Sequence, residues 1–142
     1  MSMNAQAYDT YKKATVETVA PGKLLIMLYD GALKNINNAK KAISAKDINR
    51  AHQGIIKAEA IVLELMSSLK MEYEVSQGLF DLYEYLYNQL VQANFKKDIK
   101  LLDEVEGFLA ELREVWQEAI KIIKCAPAAD NHAALQGINV KG

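Results

Sequence analysis

The side chains best suited to metal ligation or nucleophilic attack are few: His52, His132 and a single cysteine, Cys125. Helical bundles that hold two metal ions use Glu-x-x-His on facing helices. Here Asn49 stands three residues before His52 and Ala129 three before His132, so both histidines read as surface residues. Cys125 has no histidine close in sequence to serve as its base and reads as an idle thiol. Pro21-Gly22-Lys23 lacks both the glycine spacing and the preceding strand of a phosphate loop. Asp103, Glu104 and Glu106 form a carboxylate run of the kind found on solvated helix faces. Lys100 and Glu104, four apart, read as a surface pair worth roughly a few tenths of a kcal/mol. No catalytic residue, cofactor-binding residue or metal ligand is assigned, and nothing here argues for an enzyme.

The chemistry that does stand out is that of apolar surface. Leu24-Leu25-Ile26-Met27-Leu28-Tyr29 puts hydrophobic groups on every side of a helix, because each residue turns the rod by about 100°. One core needs only one stripe. Four segments carry such stripes in three- and four-residue steps, the spacing of bundled helices, the third slightly less regular than the others. They run Leu25, Tyr29, Ala32, Ile36, Ala39, Ile43; Ile48, Ala51, Ile55, Ala58, Val62, Leu65, Leu69; Leu79, Leu82, Leu86, Leu90, Ala93; and Leu102, Val105, Leu109, Leu112, Trp116, Ala119, Ile123. Short polar stretches separate them. Asp47 and Asp98 are placed to cap the second and fourth helices, Ser76 the third, and Asn94 suits a left-handed position closing the third. Connections this short force antiparallel neighbours. The expected fold is therefore all-α, an antiparallel up-down four-helix bundle over residues 20–124, with an N-terminal arm (1–19) and a flexible tail (125–142).

Residues remain after the four seams are filled. Leu24 and Met27 fall outside the first, flanked by Gly31. Leu101, Phe108, Val115 and Ile122 recur every seven residues beside the fourth, and Phe80, Tyr83, Tyr87 and Val91 lie beside the third. A wide stripe on one helix is ordinary core packing, but three double stripes exceed what one four-helix core absorbs. The reading that accounts for them is a groove that takes an amphipathic segment, with Gly31 and Gly107 retained for close approach of a partner. Exposed, such a patch would aggregate, so the arm carrying Tyr8 and Tyr11, or a homodimer, is expected to cover it at rest. The resulting binding set is Tyr8, Tyr11, Leu24, Met27, Leu28, Gly31, Phe108 and Val115. A dimeric structural or regulatory bundle that binds no such segment is the alternative.

The 142 residues are enough for one domain, 51% of them hydrophobic. A formal net charge of −1 offers no basic field for nucleic acid. No apolar run approaches the roughly 20 residues needed to cross a membrane, and the N-terminal residues lack the apolar stretch of a signal peptide. The expectation is a cytoplasmic protein without membrane insertion.

The chain resembles the flagellin-specific export chaperones of the FliS type. The resemblance rests on Ala7-Tyr8-x-x-Tyr11, Val16-Glu-Thr18, Pro21-Gly22-Lys-Leu24, Leu28-Tyr29-Asp30-Gly31-Ala32, Lys57-Ala58, Glu64-Leu65 with Ser68-Leu69, Leu82-Tyr83-x-Tyr85, Leu90-Val-Gln-Ala93-Asn94, Glu104-Val105, Leu112-Arg113 and Trp116-x-x-Ala119. It implies a cytoplasmic bundle that binds the C-terminal segment of new flagellin, prevents premature polymerisation and docks at the flagellar export gate. It also implies an N-terminal stretch that lies in the groove and gives way to flagellin. One departure is plain: the family carries Ser or Thr before Pro-Gly and Glu after it, whereas Ala20 and Lys23 stand here. The cap oxygen and the favourable negative charge are both lost, so the first helix is expected to start weakly or to borrow Thr18.

Overall fold

A computed structural model describes the backbone of residues 21–125 and the side chains of residues 22–122. Four helices account for it: α1 (Pro21–Ser44), α2 (Ile48–Ser67), α3 (Glu74–Lys96) and α4 (Ile99–Cys125), with no strand among the described residues. Each helix packs on its neighbours in chain order, and α4 closes the ring against α1. The expected up-down bundle is what forms. Tyr8, Tyr11, Thr18, the arm and His132 lie outside the described residues.

The helix ends follow from local chemistry. At the close of α1, Lys46 turns left-handed (φ 60°), and the Asp47 and Lys46 amides donate back to the Ala42 and Ile43 carbonyls. Asp47 then caps α2 by accepting from the Arg50 amide, and Asp98 opens α4 by accepting from the Lys100 amide at 2.8 Å. Two expected ends differ. The left-handed residue closing α3 is Lys97 (φ 51°), not Asn94, which stays helical. Ser76 is not a cap either. It is fully buried inside α3 and its hydroxyl donates to the Lys70 carbonyl, anchoring the α2–α3 loop. α1 opens on Pro21 with no acidic residue in its first turn, a position where proline's missing N–H costs nothing.

The core follows the seams with two corrections. Ile36, Ile55, Val62, Leu65, Leu86, Leu90, Leu102, Val105 and Leu109 are fully buried, each contributing roughly 1.5–3 kcal/mol of transfer free energy. Ile48, assigned to the second seam, is exposed instead. Tyr83, assigned to an outer stripe, is 1% exposed and central. Its hydroxyl meets that of Tyr29, and the Trp116 indole Nε1 donates to the Tyr29 hydroxyl at 2.9 Å. These three groups join α1, α3 and α4 through the middle of the bundle.

Candidate protein-binding site

Helix faces are fixed first by polar pins between α1 and α4. Arg113 donates to both carboxylate oxygens of Asp30. Lys40 donates to Asp103 at 2.6 Å and Glu106 at 2.9 Å. These hydrogen bonds hold the Lys40 ammonium above its ordinary range, Asp103 contributing most. Two members of the carboxylate run read as a solvated face, Asp103 and Glu106, therefore tie α4 to α1. The expected Lys100–Glu104 pair is replaced: Glu104 accepts from the Tyr85 hydroxyl (2.9 Å) and the Gln89 amide (2.7 Å), both on α3. His52 is exposed and receives the Asn94 amide at 2.9 Å, linking α2 to α3.

On this frame the proposed binding residues of the described chain separate into two groups. Leu24, Met27, Leu28 and Gly31 are all half-buried. Leu28 packs partly against the core, whereas Leu24 and Met27 do not. A Cβ built on Gly31 would meet the Ile61 side chain at 3.2 Å, so this group sits on the side of α1 that faces α2. Phe108 packs edge-on against Tyr85, with ring centroids 6.3 Å apart, and so belongs to the α3–α4 seam. Val115 and Ile122 continue its stripe at 62% and 64% exposure. Because the helices pack as a ring, the α1–α2 and α3–α4 seams lie on opposite sides of the bundle. The structure does not bring Leu24 and Phe108 into one patch.

The glycines sort differently from the sequence reading. Gly107 faces open space, with nothing within 4 Å of a built Cβ. Gly54, which the sequence reading passed over, marks the true close approach. A Cβ there would stand 2.9 Å from the Asn35 carbonyl oxygen and 3.1 Å from the Ala39 Cβ.

Along the α2–α3 seam the apolar stripe expected on the third helix continues onto α2 at Ile56 and Leu63, which the sequence reading passed over. Ile56, Leu63 and Val91 are exposed there, beside half-buried Phe80 and Tyr87. Within that face Glu59 is 9% exposed, and burial raises its carboxyl above the ordinary range, opposed by the nearby His52 charge. A carboxylate spaced among apolar residues at helical intervals was the available signal. Among the described residues no three His, Cys, Asp or Glu side chains cluster as metal ligands, and no helix is long and apolar enough to cross a membrane.

The family model described as flagellar protein FliS matches residues 4–123. The chain belongs to the FliS family. It is 41% identical to the flagellar secretion chaperone FliS of Bacillus subtilis (strain 168), over 80% of this chain and 86% of that protein. It is 32% identical to the protein of the same name from Vibrio cholerae (78% and 85% covered), and 30% identical to that of Salmonella typhimurium (80% and 90%). In this FliS-family chain the motif Leu28-Tyr29-Asp30-Gly31 turns out to be largely architectural. Tyr29 bonds Tyr83 and Trp116, Asp30 bonds Arg113, and Gly31 accommodates Ile61. The Tyr29, Asp30 and Gly31 contacts hold the bundle, and the exposed Phe108–Val115–Ile122 stripe lies apart from them.

Proposed function

We propose that this chain is a cytoplasmic flagellar secretion chaperone that binds the C-terminal amphipathic segment of flagellin and keeps it unpolymerised and competent for export. The observation that carries this is the Phe108–Val115–Ile122 stripe, apolar and exposed on a bundle whose core is already complete without it. Membership of a family whose relatives are named flagellar secretion chaperones supports a cargo from the flagellar secretion system. An amphipathic helix covers such a stripe by presenting apolar residues at the same spacing, and release of water from both surfaces drives the association. Since Leu24 and Phe108 face opposite seams, a single segment that covers both must pass around the bundle. The Tyr8–Tyr11 arm serves as resting cover in this reading, and the loaded complex is delivered to the flagellar export gate.

The test is co-expression with intact flagellin and with flagellin lacking its C-terminal segment. Only the intact form should co-purify. Equal capture of both would reject this function. A stable dimer by light scattering, unchanged by added flagellin segment, would instead favour the dimeric structural bundle.

A further inference from the structure

A second surface lies at the other end of the α1–α2 seam, where the turn between the two helices borders a hollow of about 580 Å³. Its charged lining is Lys41 from α1 and Arg50 and Lys57 from α2, beside the amides of Asn38 and Gln53. The only carboxylate in the lining is Asp47, which already accepts from the Arg50 amide to cap α2. Among the described residues none of the three cations has an acidic partner. Elsewhere on α1 and α4 the interhelical cations are matched, Lys40 with Asp103 and Glu106 and Arg113 with Asp30. In a chain of net charge −1, three unmatched cations around one hollow form a local positive field.

We infer that this hollow is a docking site for an acidic segment of a partner protein, separate from the apolar stripes. Arg50 and Lys57 lie seven residues apart on α2, about 10 Å along its axis. That span exceeds a single phosphate and matches carboxylates spaced along a peptide. The lining holds no aromatic side chain on which bases of a single-stranded nucleic acid would stack. Asn38 and Gln53 supply donors for the peptide backbone or for further carboxylate oxygens. Lys41 lies about 25 Å along α1 from Leu24, so the site is occupied independently of a segment seated on the apolar residues.

The test uses a fluorescently labelled, glutamate-rich peptide titrated into the full chain at low ionic strength. The triple variant Lys41→Gln, Arg50→Gln, Lys57→Gln changes only exposed side chains without acidic partners. A second triple variant, Lys34→Gln, Lys96→Gln, Lys100→Gln, removes the same charge elsewhere. The first should bind the peptide about tenfold more weakly, the product of roughly twofold to threefold per exposed ion pair. The control should bind like the wild type, and added salt should weaken binding. Co-purification of flagellin should be unaffected by the first variant, which separates failure of this inference from failure of the cargo reading. Equal binding by all three proteins, or equal loss in both variants, would overturn it. So would displacement of the peptide by an equal concentration of inorganic phosphate, or tighter binding of a single-stranded oligonucleotide of the same charge.

Discussion

Tyr29 joins three helices at the centre of the bundle. Its hydroxyl receives the Trp116 indole N–H and bonds the Tyr83 hydroxyl, all three side chains being nearly or fully buried. Burial of a polar group is tolerated only when its hydrogen bonds are made. Tyr29→Phe deletes the shared oxygen and strands two partners at once. Chemical denaturation should show a loss of about 1–3 kcal/mol, and adding Tyr83→Phe should cost less than it does alone, because it removes one of the stranded groups. The same burial gives a pH signature. Both phenols are raised above the ordinary tyrosine range, chiefly by desolvation. Folded, they stay neutral where the unfolded chain ionises, so their contribution is fully present below pH about 10 and falls away above it. The unfolding midpoint should drop more steeply above pH about 10 in the wild type than in Tyr29→Phe/Tyr83→Phe. Parallel profiles would contradict the buried assignment.

At the scale of the helices, much was legible because periodicity and caps are local. The α1 and α4 seams, and Asp47 and Asp98 as caps, follow from spacing and side-chain chemistry alone. What was not legible depended on rotation. Leu82 and Tyr83 differ by about 100° around α3, and apolar counting favoured the leucines. Tyr83 wins the interior because Tyr29 offers its hydroxyl a partner across the bundle, a contact between residues far apart in sequence. Asn94 and Ser76 failed as end markers for a related reason: each has a more distant partner, His52 and the Lys70 carbonyl. The glycines make the helix packing testable. Gly54→Ala forces α1 and α2 apart against a backbone oxygen and should lower the melting temperature. Gly107→Ala enters open space and should stabilise the free protein by roughly 0.5–1 kcal/mol. The reverse order would show that the α1–α2 approach is misplaced.

For the whole molecule, the described residues of the expected binding set fall on two seams, Leu24, Met27, Leu28 and Gly31 on one and Phe108 with its stripe on the other. Nothing local states which seam a helix face will meet. That needs the ring order, and the ring order comes from Gly31 meeting Ile61 and Phe108 meeting Tyr85. The same order separates four surfaces: apolar on the α3–α4 side, apolar along the α2–α3 seam, apolar near the start of the α1–α2 seam, and basic at its far end. The most direct measurement is a calorimetric titration of the chain with the C-terminal flagellin segment, alongside the variant Phe108→Asp/Val115→Asp. Saturable binding with a negative heat-capacity change is expected for burial of apolar surface, weakened at least about tenfold in the variant, whose charges oppose desolvation. Absence of binding, or equal affinity for both proteins, would contradict the account.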